Sequence, residues 1–223
     1  MSQVFCSEYM YTQGEGNADI SRPASQESEL IEGLKEALSI GTKGAVGLVS
    51  QVDGYFGNEI IKILMPEDLR KVADTLRTVG FEKQVDEFVL SMNRAAEKAA
   101  PAALNIFVDA IKAMSFEDAS SILTGADTAA TEYFKEKTSD NIYETFRPII
   151  SSSMNEVGVT QTFKEITEKY SSLPLMGEVT FDLDDYVTNR ALDGLFYMVG
   201  EEEKKIRTDP AARVTDLLKK IFK

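Results

Sequence analysis

The sequence predicts an all-α fold: a single irregular domain of about eight to ten helices behind a flexible N-terminal tail. Three observations predict it. Apolar residues recur at steps of three and four through most of the chain. Residues that start and stop helices bracket those periodic stretches. Prolines number only 6 in 223 residues, and long stretches carry none. A compact chain of this size buries roughly 70% of its unfolded surface, so its core needs no disulfide or metal staple.

The elements follow in chain order. Residues 1–26 read as the tail, because Gly14, Gly16, Asn17, Ser21, Pro23 and Ser25 crowd together without apolar periodicity. A first helix is expected over 27–49, with Leu30, Leu34, Leu38, Ala45 and Leu48 on one face. Gly33, Ala37, Gly41 and Ala45 form a strip of small residues four apart, where a second helix can approach closely. Asp53-Gly54 makes a turn, and Glu59 to Leu64 (EIIKIL) fits a short strand or an extended linker.

Met65-Pro66-Glu67-Asp68 is a helix start, with proline in the first turn and acids at the positive end of the dipole. Gly80 should end that helix. Phe81, Val85, Phe88, Met92, Ala95 and Ala99 then form one apolar seam, and Ile106, Ala110, Ile111 and Met114 continue it beyond Pro101. A proline inside the pattern predicts a kink near 97–101. Ser115-Phe116-Glu117-Asp118 has the form of a capping box, and Gly125 that of a stop.

Asp127 can cap a helix through Tyr133 and Phe134, and another is expected over 140–157, with Pro148 a point of bending. Phe163, Ile166 and Tyr170 mark a short amphipathic piece. Asp182 opens a strong helix carrying Tyr186, Val187, Leu192, Leu195, Phe196 and Val199. Asp209-Pro210 caps a last one, whose apolar face is Val214, Leu217, Leu218 and Ile221.

Composition removes much of the catalytic repertoire. The chain has no histidine, no tryptophan and one cysteine, Cys6. Without histidine there is no Ser-His or Cys-His pair and no imidazole ligand. No internal disulfide can form. Neither metal nor any other cofactor is called for. The formal net charge of -13 opposes nucleic-acid binding, which needs a basic face to displace counterions. No apolar stretch approaches the length of a membrane span. The first 21 residues hold neither Lys nor Arg nor a long apolar run, so no secretory signal is expected within them.

Several segments together resemble a bacterial family known as domain of unknown function 4197. They are Gly33 to Leu38 (GLKEAL), Asn93 to Glu97 (NRAAE), Met114 to Gly125 (MSFEDASSILTG), Ala129 to Phe134, Tyr186-Val187, Ala191 to Phe196 (ALDGLF) and Ile206-Arg207 with Asp209-Pro210. The resemblance covers roughly residues 28–223. It implies a helical protein of the bacterial cell envelope or periplasm, since such proteins commonly begin with an export signal or a lipoprotein-type start. It implies no activity, substrate or catalytic residue. Gln3-Val4-Phe5 before Cys6 departs from a lipobox.

The best candidate site is Asn93, Arg94 and Glu97, just before Pro101. On a helix Asn93 and Glu97 share a face one turn apart, and Arg94 lies three residues before Glu97. Pro101 has no N–H, so the Glu97 carbonyl loses its partner. A cation, an acid, an amide and a free carbonyl at a kink can hold a polar ligand. They can equally satisfy one another and the bent backbone.

Other clusters have plainer readings. Asp182, Asp184 and Asp185 fail the EF-hand spacing, since position 6 is Val187 and position 12 is Asp193. Capping explains them. Gly41, Gly44 and Gly47 lack the order of a phosphate loop and fit helix packing. Arg207, Asp209 and Arg213 could bind an anion or brace the last helix. The expectation is therefore a non-enzymatic binding or interaction protein with an unidentified small ligand or protein partner. The alternatives are a hydrolase or lyase using buried carboxylates, and a structural protein assembling through the small-residue strip.

Overall fold

A computed structural model describes residues 24–156 and 181–213, with 161, 164, 165, 167, 168, 215 and 219. Among the described residues there is no strand. They form seven α-helices: α1 (Ala24–Val49), α2 (Glu67–Thr78), α3 (Glu82–Ala99), α4 (Ala103–Ala113), α5 (Phe116–Thr124), α6 (Ala129–Glu156) and α7 (Leu183–Thr208). Short 3-10 turns occupy Ala100–Ala102 and Pro210–Ala212.

That is fewer than the eight to ten helices expected over the whole chain. One reason is α6, which joins the separate helices anticipated near 127–134 and over 140–157 into one of 28 residues. Pro148 lies inside it. Both Pro148 and Glu144, whose carbonyl the proline leaves unbonded, are on the exposed side, so water can satisfy that carbonyl. The expected piece around Phe163 to Tyr170 and the helix carrying Val214 to Ile221 lie outside the described residues, as does the tail up to residue 23. The first helix starts at Ala24, slightly before the expected position.

Local chemistry explains most other boundaries. Gly80, at φ 94, supplies the left-handed turn after α2. Ser115 and Asp118 form a reciprocal capping box at α5. Asp182 accepts the Asp185 N–H at the start of α7 at 2.9 Å. The seam of α3 is buried at Val85, Phe88, Met92, Ala95 and Ala99. Around Pro101 the chain tightens to a 3-10 turn between α3 and α4, at the C-terminal edge of the predicted kink. The EIIKIL stretch is neither strand nor helix; after a turn at 59–61 it runs irregularly to Pro66.

The core forms where α1, α3, α4, α6 and α7 meet. Phe107 of α4 lies edge-on to Phe134 of α6 and Phe196 of α7, with ring centroids 5.1 Å and 6.1 Å apart. α2 buries its own smaller stripe, Leu69, Val72, Ala73 and Leu76, against Val85 of α3. The small-residue strip of α1 faces α7, where a Cβ on Gly41 would meet Ile206 Cδ1 at 3.4 Å; beside the strip, one on Gly44 would meet Glu202 Oε2 at 3.4 Å. Close helix packing is therefore what those glycines serve.

Candidate functional site

Asn93, Arg94 and Glu97 come together as the sequence placed them, but Asn93 and Glu97 turn their polar atoms to the protein's own backbone and Arg94 pairs with the side chains of Glu97 and Asp53. Asn93 is fully buried. Its Oδ1 accepts the Ile63 N–H at 2.8 Å, and its Nδ2 donates to the Ile63 carbonyl at 2.8 Å and to Val89 O at 2.8 Å. One side chain thus pairs with both backbone groups of Ile63, as a neighbouring β-strand would.

Glu97 is also buried. Its Oε1 accepts the N–H groups of Tyr55 and Phe56 at 3.1 and 3.2 Å, and its Oε2 takes the Arg94 guanidinium at 2.6 Å. Arg94 reaches on to Asp53 at 2.6 Å. Its hydrogen bond to Glu97 is the main reason its pKa is raised. Asp53 sits at φ 67, a left-handed conformation that Asp tolerates better than most residues. The trio is therefore a clip. It fastens residues 53–63, which connect α1 to α2, onto α3.

The clip has a hydrophobic counterpart. Tyr55 is fully buried and donates its hydroxyl to the Ala191 carbonyl of α7 at 2.7 Å. Burial, and secondarily the Glu97 charge, pushes its phenol well above the usual tyrosine pKa. The ring fits only because residue 194 is glycine: a Cβ there would lie 2.6 Å from Tyr55 Cε1 and 3.1 Å from Ile61 Cβ.

The other sequence candidates are also spent internally. Asp182 accepts from Arg147 at 3.1 Å, and Asp185 accepts the Tyr143 hydroxyl at 2.6 Å. Among the described residues no group of three or more acidic or cysteine side chains could hold a metal ion. Asp209 caps the turn at Ala211, and Arg213 donates to the carbonyls of Ile206 and Arg207 at the end of α7.

One buried site escaped the sequence reading. Glu203 accepts the Ala130 and Thr131 N–H groups at 2.9 and 2.8 Å, and the Thr131 hydroxyl at 2.7 Å. Arg207 pairs with it at 2.9 Å and reaches the Ile122 carbonyl at 2.8 Å. Glu203 thus caps α6 from another helix, the role expected of Asp127. Its only advance signal was the Glu203/Arg207 spacing of four, which is common on exposed helix faces. A nearby apolar cavity, between α1, α6 and α7, is about 20 Å³, space for one water at most.

The surface opens elsewhere. A groove of about 480 Å³ runs between residues 60–67 and α7. Its rim carries Ile60, Leu64 and Tyr197, which are 68%, 53% and 38% exposed. Tyr186 crosses one end and donates its hydroxyl to the Leu64 carbonyl at 3.0 Å. Arg70 and Arg190 flank it, each paired with an exposed acid on its own helix at 3.4 Å, Glu67 and Asp193, and the Arg190 guanidinium also lies over the Tyr186 ring at 5.6 Å. A second groove of about 770 Å³ lies between α6 and α7 and shares Asp193 and Tyr197 with the first. Among the described residues no single helix is long and apolar enough to cross a membrane.

No curated protein and no solved structure matches the chain. The family model "Protein of unknown function (DUF4197)" matches residues 24–223, which takes in both clips and the groove, and the chain belongs to that family.

Proposed function

We propose that the protein is a non-enzymatic binding or interaction protein, and that the groove between residues 60–67 and α7 is its contact surface. The observation that carries this is the coincidence of Ile60, Leu64 and Tyr197, three exposed large hydrophobic side chains, on the rim of one open groove. Scattered apolar residues on a surface need no explanation, but a cluster around a concavity does.

The internal polar groups support the same reading. Glu97 and Glu203, the buried carboxylates among the described residues, each hold two backbone N–H groups and an arginine. A general acid or base needs a carboxyl within reach of substrate, and these two are turned inward. The small-residue strip of α1 is covered by α7 at Ala37 and Gly41, so assembly through it would compete with the core. Location in the cell envelope rests on the resemblance noted above, and fractionation of the source cells tests it.

Native mass spectrometry of the protein purified from its own source tests the binding reading. The wild type should carry a bound mass that Ile60→Asp and Tyr197→Ala release without unfolding. Equal retention by all three proteins, or turnover of ester, glycoside or phosphoester panels, would overturn it.

A further inference from the structure

We propose that the groove takes an extended acidic peptide, which pairs edge-on with the backbone at residues 62–64; this rests on the groove being the contact surface. The argument begins with Asn93. Because its amide occupies both backbone groups of Ile63, the opposite edge of that segment belongs to the neighbours, Lys62 and Leu64. Side-chain burial alternates accordingly: Ile61 and Ile63 are buried, while Leu64 is exposed. The Leu64 carbonyl accepts from Tyr186, a groove residue, so this open edge faces α7.

Two groups on that edge have no hydrogen bond among the described residues: the Lys62 carbonyl and the Leu64 N–H. They flank Ile63, which is the spacing that a single residue of a parallel strand bridges, donating to one and accepting from the other. The dimensions agree. Tyr186 and Tyr197 are eleven residues apart on α7, about 16 Å along its axis. That length holds about five residues of extended chain. Ile60, Leu64 and Tyr197 would then take alternate apolar side chains, the usual way strand addition acquires specificity.

Charge selects the partner's sign. The groove is lined by Lys62, Arg70 and Arg190 against Glu67 and Asp193, a local cationic excess on a chain of net charge -13. The neighbouring groove between α6 and α7 has the opposite balance, with Asp127, Glu132, Asp193 and Glu201 against Lys135 and Lys204. The exposed pairs Arg70–Glu67 and Arg190–Asp193 are weak enough to exchange for a partner carboxylate.

The test is selection of random displayed peptides against the full chain, followed by N-methylation of each backbone amide of the best binder. Sequences alternating apolar with acidic residues should be enriched. One N-methyl position should weaken binding about tenfold, the worth of one well-placed hydrogen bond. Arg70→Glu should weaken it several-fold, and the Leu64 amide resonance should shift on titration. Enrichment of basic or helically spaced sequences, indifference to every N-methyl group, or no binder at all would overturn the proposal. If native mass spectrometry still shows a partner that Ile60→Asp releases, only the peptide chemistry fails; if it shows none, the groove reading fails as well.

Discussion

Two buried carboxylates solve the same problem in different places. Glu97 on α3 gathers two consecutive backbone N–H groups from the connection after α1, and Glu203 on α7 gathers two from the start of α6. Each is backed by an arginine on its own helix, Arg94 three residues before and Arg207 four residues after. The difference lies in what surrounds the arginine. The Arg94 side chain is 34% exposed and shared with Asp53, whereas that of Arg207 is 11% exposed and bonds to Ile122 O. One clip therefore holds an outer segment beside an open groove, and the other locks a helix end inside the body. Similar chemistry gives a presenting element in one place and a structural rivet in the other.

The largest effect should come from removing the enclosed carboxylate. Glu203→Ala takes the shared acceptor from two helix-start N–H groups and the carboxylate from the largely enclosed Arg207 ion pair, and should cost about 3–5 kcal/mol in denaturant unfolding. Glu97→Ala should cost less, about 2–3 kcal/mol, because Arg94 keeps Asp53 and water. Equal costs would break the distinction between the clips. Next, Gly194→Ala forces a methyl into the Tyr55 ring and should cost about 1–3 kcal/mol, with the connection loosened rather than α6.

Tyr55→Phe removes one hydrogen bond and should cost about 1 kcal/mol near neutrality. Its signature is the pH dependence. The folded phenol holds its proton more tightly than the unfolded one, so that stabilisation is complete below about pH 10 and is lost as the unfolded tyrosine ionises above it. The wild type should lose stability above about pH 10 more steeply than Tyr55→Phe. Parallel pH curves would show the ring is less enclosed than described. The smallest effect belongs to Asp53→Asn at the exposed end of the first clip, below about 1 kcal/mol.

Both clips are helical residue pairs, yet only one was legible in the sequence. Asn93, Arg94 and Glu97 stand out because Pro101 announces a break and because an amide, a cation and an acid share one turn inside an apolar seam. Their chemistry is readable there; their partners are not, since Ile63 and Tyr55 lie 30 and 42 residues away. Glu203 sits in the run Glu201-Glu202-Glu203, where nothing local says which acid turns inward. The helical class followed from periodicity in α1, α3 and α7, where burial enforces it. The join of two expected helices into α6 did not, because Lys135 to Asp140 (KEKTSD) hold no apolar residue to carry the pattern across, and Thr138 alone is buried there. The groove has no sequence signature. Ile60 and Leu64 belong to a stretch that reads as a short strand or an extended linker, and only the fold leaves them outside.

Backbone hydrogen exchange at Ile63 tests most directly whether Asn93 is a clip rather than a ligand site. The Ile63 amide should be protected to the level of the α3 core in the wild type and exchange at loop rates in Asn93→Ala, while α6 is unaffected. A fast-exchanging Ile63 in the wild type, or one that Asn93→Ala leaves protected, would contradict the account.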